Sequence, residues 1–110
     1  MDKRRARELV AAERSRIEAA LRDVTGEVAD EGDLDRQQTG ESDSGSELAA
    51  DMVDMALIAD LRSRLEAVVR AEQRIAAGTF GTSIQSGATI PDGRLEAEPL
   101  AEYTVEELQP

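Results

Sequence analysis

The chain contains no cysteine, no histidine and no tryptophan, and among its 110 residues there is one phenylalanine and one tyrosine. Without cysteine there can be no disulfide, which is compatible with a reducing cytosol. With neither cysteine nor histidine, the usual nucleophile–base pairs of covalent catalysis cannot be assembled. Two aromatic rings cannot fill the core of a sandwich or barrel. The apolar share is mostly Ala, Leu, Val, Ile and Met, and beside 34% charged residues it favours helices. Long hydrophobic runs are missing as well, since every uncharged stretch is far too short to cross a bilayer. Basic Lys3, Arg4 and Arg5 are not followed by an apolar segment, so a secretory signal is not expected. The glycines around Gly78 and Gly81 lack the lysine of a phosphate loop, and no calcium-loop pattern occurs among the many carboxylates. No carboxylate is placed by sequence in a recognisable apolar pocket. These absences argue against an enzyme. They point to a soluble cytoplasmic protein of one domain, or of a long element with a small lobe.

What is abundant is negative charge. The net charge of −11 is unevenly spread. Residues 2–22 hold seven basic and four acidic side chains, whereas residues 23–54 hold eleven acidic groups against Arg36 alone. Residues 79–110 add six acidic groups against Arg94. Such a surface is poorly suited to neutralising phosphates, so direct nucleic-acid readout is not expected. It suits a protein partner whose docking surface is positive. Residues 29–46 read as an acidic, solvated, flexible loop.

Two segments carry helical periodicity. In the first, Val10, Ile17 and Val24 alternate with Arg14, Leu21 and Val28 in steps of four and three, a heptad seam with one basic interruption. A helix is expected from about Asp2 to about Thr25, with Gly26 weakening it. In the second, Ile58, Leu61, Leu65, Val68, Glu72 and Ile75 keep the same steps. Ser44 or Ser46 is a candidate cap, and Gly78 is a stop signal. Neither helix is stable alone at this charge density, because most helical stability comes from a packed face. An antiparallel hairpin is the simplest arrangement, and an intermolecular coiled coil is the alternative.

Continued backwards, the second seam lands on Asp54 and then Asp51. Ionised carboxylates cannot be buried there without partners, so the seam must open before it reaches them. Three residues apart, they project from one helical face. Met52 and Met55 beside them offer adaptable apolar contact. The bland account is that both aspartates help to start a helix and keep it soluble.

The last third runs GTFGTSIQSGATIPDGRLEAEPLAEYTVEEL from Gly78. The frame of Gly78, Thr79, Phe80 and Gly81, followed by Gly87, Ile90, Pro91, Arg94, Leu95, Ala97, Pro99 and Ala101, resembles the signature of the DksA/TraR family of bacterial RNA-polymerase-binding proteins. In that family two CxxC knuckles hold zinc. Here those four positions fall on Ser83, Ser86, Thr104 and Glu107, with 17 residues between Ser86 and Thr104. A second motif agrees: the family's Asp-x-x-Asp-x-Ala at the coiled-coil tip is matched by Asp51-Met-Val-Asp54-Met-Ala56. The resemblance covers roughly residues 47–108, and the arm is shorter than in the longer-armed members.

The resemblance implies a mainly α fold, an antiparallel two-helix coiled-coil hairpin with a small C-terminal zinc-finger-like lobe that here holds no metal. The expected boundaries are 1–28 for the first helix, 29–46 for the loop at the tip, 47–77 for the second helix and 78–110 for the lobe. It implies a transcription regulator whose tip enters the secondary channel of RNA polymerase, with Asp51 and Asp54 making polar contacts and Ala56 keeping the surface small. It leaves open a nucleotide alarmone acting on the complex. The other reading is a coiled-coil interaction or oligomerisation protein that kept the fold but not the polymerase role, with a monomer favoured over a dimer. Serine and threonine hydroxyls at the former cysteine positions can bond backbone amides. Phe80, Ile84, Ile90, Leu95, Leu100, Tyr103, Val105 and Leu108 are the apolar groups available to pack the lobe. Arg94 is expected to pair with a nearby glutamate.

Overall fold

The computed structural model describes residues 1–26 and 45–109, with the helical backbone alone for 45–50. Of the expected acidic loop, 29–44 lie outside the described residues, as does Val28 of the first seam. The chain is mainly helical: α1 runs Lys3–Thr25, α2 Gly45–Ala77, α3 Asp92–Ala97 and α4 Val105–Leu108. Among the described residues, the extended pairing is one isolated antiparallel bridge between Thr82 and Thr89. No helix among them is long and apolar enough to cross a membrane.

The helix ends follow local chemistry. Gly26, at φ +75°, stops α1 where an L-residue would be strained. Gly78, at φ +81°, closes α2. Its amide reaches the Ile75 carbonyl at 3.2 Å, and the Thr79 amide reaches the Arg74 carbonyl at 2.9 Å. That pair of bonds is a Schellman motif. α2 begins at Gly45, two residues before the expected boundary at Glu47, within the usual spread of a helix terminus.

The chain forms two compact units, one of Arg16–Leu65 and one of Met1–Ser15 with Glu66–Pro110. In the first, Ile17 and Leu61 are buried, while Leu21, Val24, Ile58 and Leu65 are half-buried. In the second, Ala6, Val10, Val68, Ala71 and Ile75 are buried. There the helices run antiparallel: Arg14 pairs with Glu72 at 2.7 Å, while Val10 lies beside Ile75 and Ala76. The large buried apolar positions of the two helices are ones the three–four stepping selects, and Ala6, Ala71 and the charged Glu13 are buried beside them.

The C-terminal lobe belongs to the second unit. Its core is Ile90 and Leu95, each 1% exposed, with Pro99 also buried. Burying such a side chain contributes about 1.5–3 kcal/mol. The expected packing of the lobe needs a correction. Ile84, Val105 and Leu108 are 52%, 46% and 57% exposed. A segment of this size has too little interior to cover eight large side chains. Charged clamps add to the packing instead. Arg5 holds Glu96 with two bonds of 2.6 and 2.9 Å, and Arg70 and Arg74 both hold Glu102, at 2.8 and 3.0 Å.

Candidate functional site

Two sets of residues were singled out by sequence, and each lies in its own unit. The first is the beginning of α2. From Asp51 to Leu57 every side chain is exposed, including Asp51, Asp54 and Ala56. Met52, Val53 and Met55 are 63%, 66% and 67% exposed, unusually high for apolar residues in succession. Burial begins with Ile58, which is half-covered, and is complete at Leu61. The two carboxylates therefore stand in water on the early turns of a helix, beside uncovered apolar side chains. Such a surface can make charge contacts and adaptable apolar contacts with a partner at once.

The second set is built by two turns of the lobe. Gly81 at φ +90° and Gly87 at φ +78° bracket a reversal. It is closed by Ser83 N–H donating to the Ala88 carbonyl at 2.8 Å and Gly87 N–H donating to the Ser83 carbonyl at 2.9 Å. Ile84 N–H donates to the Glu102 carbonyl at 2.9 Å, bringing residues 102–107 alongside. Thr104-Val-Glu-Glu107 then starts α4 with a capping box. The Glu107 amide donates to Thr104 Oγ1 at 3.3 Å, and the Thr104 amide donates to Glu107 Oε1 at 2.9 Å.

Within this frame Ser83, Ser86, Thr104 and Glu107 come together. Ser83 Oγ donates to Glu107 Oε1 at 2.6 Å, and Ser86 Oγ donates to Glu107 Oε2 at 2.5 Å. Each serine oxygen also accepts from backbone. Ser83 Oγ receives the Gln85 and Ser86 amides at 3.0 and 3.2 Å, and Ser86 Oγ receives the Ala88 amide at 3.2 Å. Ser83 thus spends its one proton and both lone pairs. Ser83 and Thr104 are buried. The hydroxyls of Ser83 and Ser86, then the Thr104 amide, hold the Glu107 carboxyl down to about 2 from its ordinary 4.5. The donor set is a poor match for a structural zinc ion, which takes thiolate sulfur and imidazole nitrogen. Here the hydroxyl oxygens are neutral, and both carboxylate oxygens are already engaged.

Sequence reasoning did not single out Glu96 and Glu102. Glu102 is held below the ordinary carboxylate value by its bond to Arg70 and then by the charges of Arg70 and Arg74. Its partners lie 32 and 28 residues away in sequence, beyond any local pattern. The hub role of Glu107 did have a signal, the Thr-x-x-Glu capping box. Arg94 pairs with Glu98 at 3.5 Å.

No family model matches the chain, and a search of curated proteins finds no match. Among solved structures, the fold is similar to that of the transcription factor DksA2 from Pseudomonas aeruginosa. The TM-score is 0.73 at 22% identity, over 96% of this chain and 78% of that one. The fold of this chain is DksA-like.

Proposed function

We propose that the chain is a transcription regulator that binds RNA polymerase and acts through the exposed start of α2. On this reading Asp51 and Asp54 enter the secondary channel and make polar contacts at its inner end, while Ala56 leaves room beside them. The observation that carries the reading is a DksA-like fold over 96% of the chain on which Asp51, Asp54 and Ala56 are all exposed. The net charge of −11 supports docking on a positive protein surface rather than on phosphates. The lobe is then a metal-free foot with the former zinc-ligand positions Ser83, Ser86, Thr104 and Glu107 at its centre. The regulator works as a cytoplasmic monomer, and a nucleotide alarmone acting on the complex is compatible with it.

The test is capture of core RNA polymerase by the wild-type chain and by Asp51→Asn/Asp54→Asn, with open-complex lifetime measured beside it. Both proteins are expected to capture polymerase, and the wild type alone to change the lifetime. Capture of polymerase by neither would sink the reading. A second reading, a coiled-coil oligomerisation protein, draws support from the exposure of Met52, Val53 and Met55, which a second copy could cover. Light scattering decides it: a stable dimer that captures no polymerase favours oligomerisation.

A further inference from the structure

Two stretches of the lobe, 83–88 and 104–107, are far apart in sequence and share one carboxylate. We infer that Glu107 is the cross-link of the lobe: its two oxygens tie the Ser83–Ser86 turn to the Thr104 turn, so that a carboxylate serves where the resemblance would put a metal ion. The inference does not depend on the polymerase reading.

The geometry carries it. Glu107 Oε1 accepts from Ser83 Oγ at 2.6 Å and from the Thr104 amide at 2.9 Å, and Oε2 accepts from Ser86 Oγ at 2.5 Å. A capping box alone needs only the Thr104 bond. The two serine bonds span 24 and 21 residues, so they constrain tertiary structure. The serines in turn organise their own turn, because the Gln85, Ser86 and Ala88 amides all end on serine oxygens. Hydrogen bonds to an ionised acceptor are short and about twice as strong as neutral ones. Buried Ser83 has no acceptor sites to spare and must donate its proton to something. Removing the carboxylate would leave that hydroxyl without its acceptor and detach both turns at once.

Amide hydrogen exchange on the full chain separates a cross-link from a local cap. In Glu107→Ala, exchange at Gln85, Ser86 and Ala88 is expected to rise by about tenfold or more, while Val68 and Ala71 in α2 keep their protection. Faster exchange confined to residues 104–108 would overturn the inference. Should Glu107→Ala unfold the lobe, Ser86→Ala tests the link from the other side. Removing that exposed hydroxyl is expected to speed exchange at Thr104 and Glu107, and unchanged exchange there would overturn it. Wild-type exchange is expected to be the same before and after EDTA treatment. Stoichiometric zinc in the purified protein, with protection of Gln85 and Ser86 lost on chelation, would also overturn it.

Discussion

Arg14 and Glu72, the charged residues that interrupt the apolar seams of α1 and α2, meet each other: Arg14 Nη1 lies 2.7 Å from Glu72 Oε2. Each side chain is 41% exposed, so the pair sits at the margin of the seam, neither free in water nor enclosed. An ion pair this exposed contributes little net stability.

The first prediction concerns that pair. Arg14→Leu or Glu72→Leu alone breaks this bond and is expected to destabilise by about 1 kcal/mol or less. The double variant Arg14→Leu/Glu72→Leu continues both seams and is expected to be as stable as wild type or more so. Urea unfolding of the three variants checks it. Additive losses in the double variant would show that the pairing does not matter.

Glu102 gives the second prediction. Its clamp with Arg74 is the better covered of the two, with side chains 15% exposed for Glu102 and 13% for Arg74, against 44% and 47% for Glu96 and Arg5. Glu102→Gln is expected to cost about 1.5–3 kcal/mol, the range for hydrogen bonds to charged groups. Glu96→Gln, at the more exposed Arg5 clamp, is expected to lower the melting temperature less. The folded Glu102 value is depressed below 4.5. Its contribution is therefore complete above about pH 4.5 and is lost as pH falls through the folded value. The gap in melting temperature between wild type and Glu102→Gln should narrow in acid. A gap that stays constant from pH 7 to pH 3 contradicts the assignment.

The helical class and the facing residues were legible because burial has a period. Val10, Ile17, Leu61, Val68 and Ile75 recur at steps that only a helix brings to one side. The exposure of Asp51 and Asp54 was legible for a related reason, since two carboxylates in a seam position argue that the seam has ended. The meeting of Arg14 with Glu72 was not, because it depends on the register between two helices. Glu96 and Glu102 were invisible for the same reason, their arginines being 91 and 32 residues away. Ile84, Val105 and Leu108 misled in the other direction. Hydrophobicity says what can be buried, and a small lobe leaves part of it outside.

A third prediction separates two glycines of the lobe. Gly81 has φ +90°, and a Cβ built there would come to 3.4 Å from Leu95 Cδ1 in the core. Gly81→Ala is expected to destabilise by about 1–2 kcal/mol from backbone strain, with little help from relaxation of Leu95. Gly93, inside α3, has open space where a Cβ would go. Gly93→Ala is expected to be neutral or to stabilise by up to about 1 kcal/mol through helix propensity. Thermal melts of the two variants test the contrast, and equal losses would contradict the backbone reading at Gly81.

The last prediction is a titration. Glu107 sits near 2 because Ser83, Ser86 and the Thr104 amide all donate to its ionised form. Its folded value is below the ordinary 4.5, so the stabilisation it supplies is fully present above pH 4.5 and disappears between about pH 4.5 and 2. A carboxyl-carbon NMR titration should place the Glu107 midpoint well below those of exposed glutamates. In Ser83→Ala, which removes the leading donor, the midpoint should move up toward 4.5. Ser86→Ala should move it less, since that hydroxyl is exposed whereas Ser83 is buried. A wild-type midpoint near 4.5, or one indifferent to both substitutions, would mean that the hydroxyls do not hold the carboxylate in solution. The order of the two shifts, Ser83→Ala above Ser86→Ala, tests whether the buried arm dominates the exposed one.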